Sequence, residues 1–490
     1  MGDEPRAFWR HFEAVTKIPR PSRGEEQVIR HVRLWAGENG LGLREDRAGN
    51  LVIEVPATAG RQSAPVLVLQ GHLDMVCERD PDSPNDPAEG RIELIRDGDW
   101  LTASGTTLGA DNGVGVAAMM ALAEDDAVPH GPLQLLMTVA EEVGLEGANR
   151  LDPSLVGGSI LVNLDGGGDG CLTVGCAGAT ETWIRVHQRR DRSADDGVTV
   201  SVTASGGLGG HSGMNIADGR ANAIKMLGRA LRQAHAATPF RLVSLEGGKS
   251  RNAIPRDAVA VCSIPAKDEG SFRRAVEDAI ASIRDAYART DPDLALTVAA
   301  SAAAADAWNE AGTATLLDAI ALIPTGPLAM SPDFAGLVET SSSLGLANTD
   351  GGTLTLHSLS RSSNNSALGD VVATLDAVAR LAGGSLEVVA NYRGWRPNLE
   401  SPALKATSGV YERLFGDAPI LSAAHGGLET AVIGDKVPGI DMISFGPQIE
   451  APHSPKERVS IPTVERFWKL LVGVVDELSR PSRPRVQPTG

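Results

Sequence analysis

Apolar positions in the first third of the chain fall in short, mostly apolar runs: residues 51–55 (LVIEV), 66–70 (VLVLQ), 133–139 (LQLLMTV) and 160–163 (ILVN). Runs of this length next to Gly, Pro or Asn predict strands buried on both faces. Residues 8–17 and 25–39 instead carry apolar side chains at helical spacing, and Asn39-Gly40 stops the second helix. The small and apolar residues of 114–124 predict a helix packed on both sides. Strands alternating with helices predict an α/β fold built on a mostly parallel sheet.

Near Thr180 the texture changes to amphipathic strands and longer polar-faced helices, which predicts a second, α+β domain. An internal repeat is expected within it. Loop, strand, helix and strand run through 251–255, 258–264, 272–287 and 294–298, and again through 345–349, 353–359, 367–381 and 386–389. After Tyr392 the first pattern returns, with a helix near 403–415, a strand at 442–445 and a closing helix at 463–478. The expected organisation is a first domain in two parts, 1–179 and 393–479, an insertion at 180–392, and a disordered Pro- and Arg-rich tail at 480–490.

Composition narrows the partners. A chain of 490 residues exceeds one hydrophobic core, and a formal charge of -17 argues against nucleic acid. A small solute is the expected ligand. No run of about 18 apolar residues predicts a membrane span. Residues 1–5 (MGDEP) lack the basic and apolar regions of a signal peptide, so a cytoplasmic location is expected. The 4 cysteines are too sparse for a disulfide framework.

The candidate chemistry lies where strands end. His72 and Asp74 follow the run at 66–70, Glu141 and Glu142 the run at 133–139, and Asp165 the run at 160–163. Asp111 precedes the small-residue helix, and His453 lies in a Pro-flanked loop. Singly, Asp111 reads as a helix N-cap, the glutamates as a solvated strand end and His453 as a loop residue. Jointly, His72, Asp111, Glu142, Asp165 and His453 suit two divalent ions bridged by one carboxylate. Zinc is expected, and manganese or cobalt suits the same donors. Water held between such ions loses its proton near neutral pH, and Glu141 is placed to take it as general base. Asp74 is expected to accept the other ring N–H of His72.

The segments GHLDMV (71–76), GADNG (109–113), AEEVG (140–144), NLDGG (163–167), GGHSG (209–213), RNAIP (251–255), HGGLE (425–429), SFGP (444–447) and HSPKERV (453–459) together resemble the aminoacyl-histidine dipeptidases. These belong to the di-zinc dipeptidase, aminoacylase and carboxypeptidase clan. The resemblance implies His72 and Asp165 on one metal, Glu142 and His453 on the other, Asp111 bridging and Glu141 as base. It also implies that the insertion is a lid, with His211 stabilising the oxyanion and Asn252 and Arg361 gripping the substrate. Gly426, beside His425, would line the substrate pocket.

One departure is that Thr430-Ala431 follow HGGLE, where the family continues with cysteine and glycine; this leaves substrate preference open. The implied activity is hydrolysis of dipeptides with a free carboxylate, Xaa-His among them. The alternatives are a deacylase or carboxypeptidase of the same clan, or a non-catalytic peptide-binding protein. The doubled lid would either form a homodimer with a second chain or mimic one within a single chain.

Overall fold

The computed structural model describes residues 5–193 and 197–480, so the expected tail lies, Arg480 apart, outside the described residues. The chain divides into two units. The first comprises Met1–Gly175, Pro397–Ala424 and Leu428–Gly490, the second Cys176–Arg396 together with His425–Gly427.

In the first unit, the fully buried strands Leu133–Thr138, Leu67–His72 and Ile160–Asn163 pair in parallel, and Asp441–Ser444 pairs in parallel with Ile160–Asn163. These four form the centre of an eight-stranded sheet. Its flanks are antiparallel: Leu51–Val55 joins Leu133–Thr138, Gly42–Glu45 joins Leu51–Val55, and Cys171–Cys176 joins Asp441–Ser444. The sheet is therefore mixed at its edges and parallel where both faces are covered, as burial on two sides demands.

The helix Ala110–Ala123 is buried along nearly its whole length and packs against the strand Leu67–His72 and the helix Arg6–Thr16. Small residues allow the close approach. A Cβ at Gly71 or at Gly115 would overlap Oδ1 of the buried Asn112. A separate four-stranded sheet pairs Ile449–Glu450 with Arg458–Ser460, then Trp100–Ala103 and Leu94–Asp97. His453 lies in the loop of its first hairpin.

The second unit is built on a nine-stranded sheet. On one side of the Gly247–Ala347 pairing the strands run Ala295–Ala300, Gly197–Ser205, Ala258–Pro265 and Arg241–Gly247; on the other, Val338–Asp350, Thr353–Ser362, Gly178–His187 and Ser385–Tyr392. Read outward from that pairing, each side places a long hairpin, then an earlier strand, then a strand that returns through a helix, Glu269–Tyr287 on one side and Asn365–Leu381 on the other. One continuous apolar core, from Ile184 through Leu227, Phe272 and Leu316 to Leu375, joins the helices to this sheet. Among the described residues no helix is long and apolar enough to cross a membrane.

Candidate metal centre

The strand Leu67–His72 delivers a buried imidazole at its carboxyl end. Nε2 of His72 lies 3.0 Å from Asp111 Oδ1 and 3.8 Å from Asp165 Oδ2. The other oxygen of Asp111 is 3.3 Å from Nε2 of His453, which in turn lies 2.9 Å from Glu142 Oε1. Two triads, His72/Asp111/Asp165 and Asp111/Glu142/His453, thus share Asp111, and within each the donor atoms lie inside 4.8 Å of one another. Glu141 completes a third group with His72 and Glu142. All six residues therefore converge from five separate segments of the first unit.

Buried polar groups hold the cluster. Nδ1 of His72 is 3.4 Å from Asp74 Oδ1 and 3.2 Å from the Asp74 carbonyl. The Asp74 carboxylate also accepts the Ser22 hydroxyl at 2.7 Å and the backbone N–H groups of Glu141 and Glu142 at 3.0 and 3.2 Å. Asn112 donates to the Leu164 carbonyl at 2.9 Å and to Asp165 Oδ1 at 3.0 Å. The peptide bond between Asp111 and Asn112 is cis. Ala140, immediately before Glu141, and His453 itself adopt left-handed φ values of 50° and 61°, conformations that L residues take only where their surroundings impose them. The N–H of Ala140 is met by Glu25 Oε1 at 2.8 Å.

A polar rung crosses the parallel strands just beneath these ligands. Ser444 donates to Asn163 at 2.5 Å, Asn163 to Gln70 at 2.6 Å, and Gln70 and Thr138 each donate to Glu429 Oε2 at 2.6 Å.

Four carboxylates, Asp111, Glu141, Glu142 and Asp165, crowd around two imidazoles, and their proton affinities spread accordingly. Burial pushes Glu141 up to about 8, the charge of His72 opposing and those of Glu429 and Glu142 assisting. Asp165 is raised by burial and by Asp111. Burial disfavours the Asp111 carboxylate, yet its hydrogen bonds to His453 and His72 hold it far below the usual carboxylate range. Hydrogen bonds to Asp111 and Glu142 lift His453 to about 10. Such a cluster concentrates negative charge that a dication would neutralise.

In the second unit, Nδ1 of His211 accepts the backbone N–H groups of Gly213 and Met214 at 3.2 and 3.1 Å, which leaves the ring proton on Nε2. Burial and the nearby Arg361 charge lower its pKa, keeping the ring neutral at pH 7. Gly213 separates the two: a Cβ there would come 3.1 Å from the His211 ring and 3.2 Å from Arg361 Nε. Arg361 is buried, with its Nε making no hydrogen bond. Asn252 is exposed, its Oδ1 taken by Ser250 at 2.7 Å, but its carbonyl accepts from Ser212 at 2.8 Å beside the short His211–Ala253 ladder. His425 Nε2 lies 2.7 Å from Ser341 Oγ, and next to it Gly426 faces open space.

The sequence model of peptidase family M20/M25/M40 matches residues 68–477. The chain belongs to that family. Among its M20/M25/M40 relatives is the cytosol non-specific dipeptidase of Escherichia coli (strain K12), 35% identical over 474 residues that cover 97% of this chain and 98% of the relative. The crystal structure of aminoacylhistidine dipeptidase from Vibrio alginolyticus superposes with a TM-score of 0.89 at 35% identity, covering 96% of each chain. The aminopeptidase PepT from Bacillus cereus shares the fold more distantly, with a TM-score of 0.57 at 16% identity over 97% of this chain and 98% of that one.

Sequence reasoning passed over Arg20, Ser22, Glu25, Asn112, Gln70, Glu429 and Glu457, all of which brace the M20/M25/M40 site. Weak signals exist for three of them: Asn112, Glu429 and Glu457 lie within the segments GADNG, HGGLE and HSPKERV that carry the resemblance.

Proposed function

We propose that the chain is a metal-dependent dipeptidase that hydrolyses the peptide bond of short peptides with a free carboxyl end, Xaa-His among them, using two divalent cations per chain. The observation that supports this most is Asp111, whose two oxygens face His72 and His453 at 3.0 and 3.3 Å, the disposition a bridging carboxylate needs. The donors also fit cations better than protons. The buried Oε1 of Glu142 faces Nε2 of His453 at 2.9 Å and makes no other hydrogen bond. Imidazole and carboxylate donors suit zinc, our choice, as well as manganese and cobalt. The names of the Escherichia coli and Vibrio relatives support the dipeptidase reading, and the former supports a cytoplasmic location.

Bound at these triads, the cations supply Lewis acidity that polarises the scissile carbonyl and makes water acidic. His72 and Asp165 would hold one, Glu142 and His453 the other, and Asp111 both. Glu141 acts as general base from its place beside His72 and Glu142. It passes the proton to the leaving amine. Asp74 fixes the tautomer of His72 and the backbone of Glu141.

From the second unit, His211 offers its Nε2–H to the oxyanion. Arg361 presents a planar fork suited to the free carboxylate of a dipeptide. Asn252 and Gly426 are assigned to substrate binding, and the second unit to homodimer formation.

The test is to strip metal with chelator, restore zinc or manganese, and follow Ala-His, β-Ala-His, Gly-Gly-Gly and N-acetyl-methionine. Metal-restored cleavage of the dipeptides is expected. Faster turnover of N-acetyl-methionine would make the protein a deacylase, and binding without cleavage in metal-loaded protein would make it a peptide-binding protein.

A further inference from the structure

Two buried ions outside the donor triads grip the loop that carries Asp111. The carboxylate of Glu457, only 2% exposed, accepts four consecutive backbone N–H groups: Leu108 at 2.8 Å and Gly109 at 2.9 Å on Oε2, Ala110 at 2.8 Å and Asp111 at 3.2 Å on Oε1. On the same turn Arg20, fully buried, donates from Nη2 to the Gly109 carbonyl at 2.5 Å. Its Nη1 reaches the carbonyls of Leu73 and Asp74 at 3.0 and 2.8 Å. The turn is thus held by its N–H groups and by a carbonyl at once. Gly109 makes this possible: its φ is 70°, and a Cβ there would lie 2.5 Å from Arg20 Nη2.

The two side chains link the segments of three of the donors. Arg20 ties the end of the His72 strand to the Asp111 turn, and Glu457 ties that turn to the segment four residues beyond His453. The charge of Glu457 is the largest one favouring the buried Arg20 guanidinium, while the buried Glu457 carboxylate is favoured by its backbone N–H bonds. A buried charge satisfied mainly by backbone groups is costly to place and is a precise way to locate a loop.

We infer that Glu457 and Arg20 are positioning residues that set the placement of the Asp111 carboxylate, and through it the affinity for both cations. The inference rests on the two-cation reading above. A residue that only stabilised the fold would lower the melting temperature of the chelator-treated protein and leave metal affinity and ligand geometry unchanged in the folded variant.

The test uses the full chain. Chelator-treated wild type and Glu457→Gln are titrated with cobalt(II), recording bound equivalents, the visible absorption band and the circular dichroism. Glutamine presents an amide N–H₂ to two of the four backbone donors, so the folded variant should bind cobalt about 10- to 100-fold more weakly, with a shifted band. Turnover of Ala-His should fall by a similar factor with KM within about threefold. Glu457→Asp keeps the charge opposite Arg20 and should recover part of the loss; it also serves if the glutamine variant does not fold, with weakened affinity and a shifted band again expected. Wild-type affinity and an unshifted band in the folded variants would overturn the inference, while wild type taking up fewer than two cobalt ions would overturn the two-cation reading beneath it.

Discussion

Oδ1 of Asp74 accepts the backbone N–H of Glu141 at 3.0 Å while lying 3.4 Å from Nδ1 of His72. One buried carboxylate therefore sets both a donor imidazole at the end of one strand and the loop that follows its neighbour. Burial opposes its charge, but the hydrogen bond and charge of His72, together with Ser22 and the Glu141 N–H, hold its pKa down at about 2. Its stabilising contribution is complete above the ordinary value of 3.8 and is lost as pH falls through 2.

Asp74→Ala should therefore weaken metal binding and turnover together, each by about 10- to 100-fold. Zinc affinity by competition with a chromophoric chelator is the readout. Retained affinity with normal turnover would mean that His72 and the Glu141 loop are oriented by other groups.

Glu141 and Glu142 are neighbours with different assignments. Glu141→Ala should keep both metals while turnover falls by about 10²-fold or more, whereas Glu142→Ala should lose metal. Metal analysis of the purified variants decides between them. Loss of both ions from Glu141→Ala would show that base and ligand had been exchanged.

The central strands were legible because burial on two faces leaves runs such as LVLQGH and LQLLMT with little polarity, and the structure places them at Leu67–His72 and Leu133–Thr138. The edge strand Ile420–Ala424 (ILSAA), nowhere fully buried, carries no such pattern. Acids and histidines at strand ends stand out for the same reason the strands do, since a charge beside an apolar run is conspicuous. Arg20 and Glu457 do not stand out. Their partners are backbone groups 53 to 89 and 346 to 349 residues away, and a backbone N–H has no residue identity to read. The cis Asp111–Asn112 bond was equally hidden, because neither residue is proline.

Lys225 caps a helix of the second unit. Its ammonium donates to the carbonyls of Ile320, Ala321 and Ile323 at 2.7, 2.8 and 2.7 Å, at the end of the helix Glu310–Leu322, and burial pushes its pKa down to about 8. Lys225→Met keeps the stem and strands those carbonyls, so urea unfolding should show a loss of about 1–3 kcal/mol. An unchanged midpoint would mean that water replaces the ammonium at no cost.

His425 is held neutral. Burial, then the Arg361 charge, lowers its pKa to about 4. Because the folded value lies below the ordinary 6.5, its contribution to stability is complete above 6.5 and is lost as pH falls through 4. Imidazole NMR resonances assigned by comparison with His425→Gln should titrate near pH 4, and a midpoint near 6.5 would place the ring in water instead.

A carboxylate shared by both triads, Asp111, requires two ions per chain, and stoichiometric loading counts them. Chelator-treated protein is titrated with zinc while bound equivalents and Ala-His hydrolysis are followed together. Binding that saturates at two ions per chain, with hydrolysis restored as the pair fills, is the predicted result. Saturation at one ion with full activity, or hydrolysis that persists in metal-free protein, would contradict it.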